Sequence, residues 1–145
     1  MNIVVDTNIL FSAAISPNNK IAELLFSPYP EFRRISCYFA IAELFKHQAK
    51  IVKLSKQDPD KLNELIYSIL RQVEFLNEDL IAPHHWLEAD RLTIGVDSKD
   101  ISFVALSLQR DAWLWTGDKP LTTHLKAMGF DRVLTTNEVY QKFNP

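Results

Sequence analysis

Near the start of the chain three apolar residues, Ile3-Val4-Val5, run straight into Asp6-Thr7-Asn8, and a second apolar run, Ile9-Leu10-Phe11, follows at once. A short, continuous and mostly β-branched run reads as a strand buried on both faces. A strand covered on both sides belongs to a parallel sheet with helices over it. Asp6 then falls where such a strand ends, and open α/β sheets collect their ligands at that edge.

The rest of the chain repeats the alternation. A helix over 9–15 is broken by Ser16-Pro17-Asn18-Asn19, and a second helix is expected over 20–26. A short strand follows over 34–37. Residues 39–54 read as one long helix, with Glu43 in its first turns and Lys46, Lys50 and Lys53 along one face. Pro59 opens another helix, and the pair over 39–72 suggests an antiparallel hairpin. A strand over 73–76 and a helix over 84–94, stopped near Gly95, come next. The tetrad Asp97-Ser98-Lys99-Asp100 announces a helix over 96–110, apolar almost all round. Residues 112–116 form a strand that leads into Gly117-Asp118. Lys119-Pro120 starts a helix closed by Gly129, and a strand over 133–135 precedes a helix over 137–143. Strands alternating with helices specify an α/β fold, a parallel sheet with helices on both faces.

At 145 residues the chain reads as a single domain over 1–145. An apolar share of 47% argues against disorder, and three glycines leave little room for linkers. No apolar stretch approaches the roughly 20 residues of a membrane span, and the N-terminus lacks the basic and long apolar regions of a signal peptide. The single cysteine, Cys37, excludes an intrachain disulfide and fits a reducing, cytoplasmic setting. Its own reading is a small buried hydrophobe. The net charge of −2 argues weakly against a nucleic-acid partner. Setting aside Asp6, Glu43, Asp97, Asp100 and Asp118, however, leaves 16 basic residues against 13 acidic ones. Neutralising those five acids would leave a mildly positive field.

Each of these acids has a purely structural reading. Asp6 and Asp118 stand where a helix N-cap is wanted. Asp97 and Asp100 have the spacing of a capping box, and Glu43 would suit a helix N-terminal dipole. Collectively they say more. The C-terminal strand ends and the following helix starts share one edge, so Asp6, Asp100 and Asp118 would converge there with Glu43. Carboxylates crowded together raise one another's pKa, and a hard divalent cation removes that cost. Oxygen-only ligation selects Mg2+ or Mn2+ over zinc. Two such ions roughly 4 Å apart can clamp the attacking and leaving oxygens of a phosphodiester.

The segments Val5-Asp6-Thr7-Asn8-Ile9-Leu10, Ala42-Glu43-Leu44, Lys99-Asp100-Ile101-Ser102-Phe103-Val104-Ala105-Leu106-Ser107-Leu108 and Trp115-Thr116-Gly117-Asp118-Lys119 together resemble the PIN-domain family. The resemblance covers nearly the whole chain, and its order and spacing are similar to the compact prokaryotic VapC-type toxins. It implies a three-layer α/β/α fold on a central parallel sheet of about four to five short strands. It implies a metal-dependent endoribonuclease, with Asp6, Glu43, Asp100 and Asp118 as its acids holding one or two Mg2+ or Mn2+ ions. Asn8 would orient Asp6 or a metal-bound water, Thr116 would support the last acid, and Asp97 is a further candidate ligand. The resemblance also implies RNA as substrate, a cognate antitoxin as partner and a homodimer.

His47 lies one turn after Glu43 and reads as a surface or supporting histidine. His84 and His85 have no partners at zinc spacing, which excludes a zinc site. Trp113 and Trp115 share a strand face and read as core or dimer surface. Lys46 and Lys50, with Lys53, Arg33 and Arg34, could track an RNA backbone. Lys119, directly after Asp118, is the better candidate for a phosphate near the acids. Two other readings compete: an inactive PIN-like module that binds RNA or protein, and a phosphoryl-transfer protein using Asp6. The latter lacks the second Asp that a dehalogenase-type signature places two residues on, because Asn8 stands there.

Overall fold

The computed structural model describes residues 1–28, 31, 33–96 and 98–143. Asp97 lies outside the described residues. The strands are β1 (Asn2–Val5), β2 (Arg33–Cys37), β3 (Glu74–Leu76), β4 (Trp113–Trp115) and β5 (Val133–Leu134). The helices are α1 (Thr7–Ile15), α2 (Lys20–Leu25), α3 (Tyr38–Lys46), α4 (Gln48–Ser55) and α5 (Pro59–Leu70), then α6 (Pro83–Thr93), α7 (Ile101–Gln109), α8 (Lys119–Ala127) and α9 (Thr136–Phe143).

All five strands are parallel, in the order β3-β2-β1-β4-β5. Ile3, Val4 and Val5 are completely buried, as a central strand covered on both faces demands. The register places Val5 beside Trp115, Trp115 beside Leu134, and Cys37 beside Leu76. The strand ends are therefore level, and the residues that follow them emerge along one edge. The chain winds outward from β1 to β2 and β3, then returns to the other side of β1 with β4. The gap between β1 and β4 is thus the switch point, where α/β sheets bind their ligands.

Helix α7 packs against β1, β2 and β4 and is covered in turn by α6. This explains its unbroken apolar stretch: Ser102 to Ser107 are all buried. A second group gathers on α1, which contacts α2, α3, α4 and α5. Among the described residues no helix is long and apolar enough to cross a membrane.

Three expected elements differ. The helix read over 39–54 is two helices, broken at His47, whose backbone (φ −102°, ψ 15°) leaves the helical range. The bend turns α4 onto α1 and buries Ile51 completely. It also separates Lys46, at the end of α3, from Lys50 and Lys53 on α4, so the three lysines do not form one row. The expected 39–72 hairpin is likewise replaced by helices that gather on α1. The helix expected from residue 96 starts at Ile101. Gly95, at φ +89°, ends the preceding segment, and a single 3-10 turn over Ser98–Asp100 intervenes. Arg33 and Arg34 lie at the far end of β2 from the strand exits. There Arg33 pairs with Glu74, and Arg34 bonds the carbonyls of Leu24, Ser27 and Gln72. That position takes both away from the acids.

Candidate active site

Asp6 leaves β1 in an extended conformation and caps α1, with Oδ1 accepting from the Asn8 backbone N–H at 3.4 Å. Its Oδ2 accepts from the Thr116 hydroxyl at 2.7 Å and from Asn8 Nδ2 at 3.3 Å. Thr116 follows β4, the strand beside β1. Its single hydroxyl proton goes to Asp6, and its lone pairs accept from Asn8 Nδ2 at 3.3 Å and the Asp118 N–H at 3.1 Å. Asn8 Oδ1 accepts from the Gly117 N–H at 3.1 Å. The exits of β1 and β4 are thereby tied into one network across the switch point.

Asp6 is only 3% exposed. Burial pushes its pKa up to about 6; the Thr116 hydroxyl and the Asn8 N–H oppose the rise, and the charges of Glu43 and Asp118 add to it. Glu43 comes from the middle of α3, where Oε1 accepts from the Thr7 hydroxyl at 2.8 Å. Asp100 occupies the position before α7, and its side chain does not cap that helix. Asp118 does cap α8, accepting from the Leu121 N–H at 3.0 Å, with Pro120 in the first turn. For Asp6 and Asp118 the capping reading and the site reading are both satisfied by the same side chain.

These four acids line one cavity of about 210 Å3, together with Thr7, Asn8, Phe11, His47 and Lys99. Their donor chemistry, carboxylate oxygen without thiolate, suits a hard divalent cation. Among the described residues no three His, Cys, Asp or Glu side chains converge as the ligands of one ion. The hydrogen bonds supply a physical reason. Glu43 gives one oxygen to Thr7, Asp118 one to the α8 N-terminus, and Asp6 both to Thr116 and Asn8. Like charges held by separate partners stay apart.

The lysines fall differently from expectation. Lys119 lines not the acid cavity but a neighbouring one of about 450 Å3, with Thr116, Thr122, Thr135 and Asn137. Lys99, one residue before Asp100, is the lysine that lines the acid cavity. The sequence carried that signal inside the Lys99-Asp100 segment, but proximity in sequence favoured Lys119 equally. Lys50 reaches the rim, with Nζ 5.7 Å from the centre of the Phe11 ring. Lys46 is exposed and is not part of the lining. Cys37 is buried at the end of β2, and burial pushes its thiol up to about 12, so it is no nucleophile. Trp115 is core, its indole N–H donating to Thr116's neighbour across the sheet edge, the Thr136 hydroxyl, while Trp113 is covered by Lys142 at 4.8 Å.

Solved structures share this architecture. A structure of VapBC2 from Rickettsia felis bound to a DNA fragment from their promoter aligns with a TM-score of 0.70 at 13% identity, over 93% of this chain and 98% of that one. VapBC-1 from nontypeable Haemophilus influenzae aligns with a TM-score of 0.67 at 18% identity, over 94% and 99%. PAE2754 from Pyrobaculum aerophilum gives 0.69 at 15% identity, over 99% and 89%. At such identities the likeness is one of fold. No curated protein matches the sequence. The family model of the PIN domain matches residues 4–142. That span takes in residues of every strand and all four acids of the cavity, and on its strength the chain belongs to the PIN-domain family.

Proposed function

We propose that this protein is a Mg2+- or Mn2+-dependent endoribonuclease, and that it is the toxin of a toxin–antitoxin pair. One observation carries the reading: Asp6, Glu43, Asp100 and Asp118 line a single cavity at the switch point of a PIN fold. Carboxylates gathered there raise one another's pKa, and Asp6, lifted first by burial and further by the charges of Glu43 and Asp118, is the case in point.

A divalent cation bound among these acids would supply Lewis-acid polarisation of the scissile phosphodiester and neutralise charge developing on it. The chain's own groups do the remaining work. Asp6 is held by Thr116 and Asn8, and Asp118 by the start of α8. Glu43 and Asp100 face them from α3 and from the turn before α7. Thr116 and Asn8 are positioning residues that aim the Asp6 carboxylate. Lys99 meets a phosphate at the cavity mouth, and Lys50 extends the cationic side through Phe11.

The structural neighbours named for VapBC support a protein antitoxin as partner. A groove of about 330 Å3 between α3 and α5 fits such a partner, because Phe45 and Tyr67 on its walls are 62% and 63% exposed. A homodimer and a cytoplasmic setting accompany this reading.

Cleavage of a structured RNA pool with Mn2+ or Mg2+ tests it, with EDTA and Asp6→Asn as controls. Cuts lost in both controls are expected. Full activity in Asp6→Asn, or none from a folded, antitoxin-free, metal-loaded wild type, would sink the proposal. Binding of Mn2+ followed calorimetrically gives a second readout, weakened in Asp6→Asn and Asp118→Asn.

A further inference from the structure

A larger groove of about 520 Å3 adjoins the acid cavity, and Lys99 lines both. Its walls are aromatic. Tyr38 and Phe39 open α3, and Trp86 comes from the first turn of α6. Phe39 is braced from behind by the buried ring of Phe103, centroids 6.2 Å apart, so that wall is stiff. Tyr38 is 52% exposed and offers an open face. Glu78 lines the groove from the 3-10 turn after β3, with Oε2 accepting from the Phe39 N–H at 3.0 Å and the carboxylate also meeting the Cys37 thiol. Ser102 lies at the floor, only 6% exposed, and its hydroxyl has no hydrogen-bond partner among the described residues. A buried hydroxyl is ordinarily paired, so this one is suited to a partner that arrives with a ligand.

Flat aromatic walls with hydrogen-bonding groups beside them suit a nucleobase, which stacks by its faces and is read by its edges. The reading group here is a carboxylate, which only accepts. Guanine presents two adjacent donors, N1–H and the N2 amino group, on its Watson–Crick edge. Adenine and cytosine each set their amino group beside a ring acceptor, and uracil sets its N–H between two carbonyls. A carboxylate therefore pairs with guanine through two parallel bonds and with the others through at most one. Lys99 joins the groove to the acids, as the phosphate that links one nucleotide to the next requires.

We propose that this groove is the specificity pocket of the nuclease and takes a guanine base of single-stranded RNA flanking the scissile phosphate. The base stacks among Tyr38, Phe39 and Trp86, with Glu78 reading its edge and Ser102 accepting or donating at the floor. The proposal rests on the nuclease reading above, and its test separates the two. Cut sites in the RNA pool are mapped for the wild type and for Glu78→Gln, a change that keeps a carbonyl oxygen for the Phe39 N–H. The expected result is guanine at one fixed position beside the cut, with its preference over adenine reduced about tenfold in Glu78→Gln. No preference, preference for another base, or an unchanged guanine preference in the variant overturns the pocket and leaves the nuclease standing. If no RNA is cut, the nuclease reading falls, and a metal-free titration decides the pocket alone. Guanosine 5′-monophosphate should quench tryptophan fluorescence, adenosine 5′-monophosphate should do so about tenfold more weakly, and Trp86→Phe should abolish the signal. Absence of quenching by the guanine nucleotide gives the groove to a protein partner and overturns the proposal.

Discussion

At one edge of the sheet Arg34 spreads its guanidinium over the carbonyls of Leu24, Ser27 and Gln72. At the other edge, Asp6 is more deeply buried, and that burial, with the charges of Glu43 and Asp118 adding to it, lifts its pKa to about 6 despite its hydrogen-bond donors. The first arrangement spreads its charge over backbone carbonyls, and burial is the one cause that lowers the Arg34 pKa. The second remains electrostatically incomplete. A buried charge that the fold satisfies serves architecture, whereas one that the fold crowds with its own kind awaits something from outside. The contrast predicts that substitutions at the two edges separate activity from stability.

Asp6→Asn should make the widest separation. Cleavage should fall by about a thousandfold or more, while the melting temperature of the metal-free protein stays level or rises, since a repelled charge is removed. A large fall in melting temperature would place Asp6 with Arg34 as an architectural charge.

Titration sharpens the same contrast. An unfolded Asp titrates near 3.8 and folded Asp6 near 6, so between these values the folded state holds the proton more tightly. Stability of the metal-free protein should therefore decline as pH rises from about 4 to about 6, by roughly 3 kcal/mol, and level off above. Denaturant melts across that range measure it, and Asp6→Asn should flatten the decline.

Arg34→Met keeps the apolar stem but takes one donor from each of three carbonyls, of which Leu24 keeps the Ser27 N–H. A loss of about 2 kcal/mol is expected, read from denaturant midpoints, with metal-dependent cleavage by the folded fraction unchanged. Reduced turnover in that fraction would break the division of labour between the edges.

Thr116→Val acts more gently on the acid edge. Losing the 2.7 Å bond removes the strongest influence holding the Asp6 pKa down. The acid limb of the pH–rate profile should move upward, and the rate at neutral pH should drop about tenfold. Thr116→Ser should restore both.

The acid edge was legible in the sequence because its signals are local. Ile3-Val4-Val5 declares a buried strand, and Gly117-Asp118-Lys119-Pro120 declares a helix start, whatever the tertiary context. The break at His47 was not legible, because neither Pro nor Gly marks it; α4 bends to bury Ile51 against α1, which only the assembled fold dictates. Lys99 and Lys119 each adjoin an acid, but they sit on opposite sides of their acids in the chain. The local backbone, a 3-10 turn for one and a helical first turn for the other, decides which faces the cavity. Arg34 was misplaced for a simpler reason. Three strand residues separate it from the exit of β2, about 10 Å, enough to put it at the wrong edge for RNA. The aromatic groove was hidden because Tyr38, Glu78 and Trp86 come from three distant segments.

The Thr116–Asp6 bond joins residues 110 positions apart, whereas the Thr7–Glu43 bond spans only 36. The last part of the acid cavity thus depends on one of the longest loop closures among the described residues, which is entropically the slowest kind to form. During synthesis, a ribosome that has made the first hundred residues carries Asp6 and Glu43 with neither β4 nor Asp118 beside them. On the proposed function, a nuclease is in this way assembled beside RNA with its acid cavity incomplete until β4 has emerged and docked against β1.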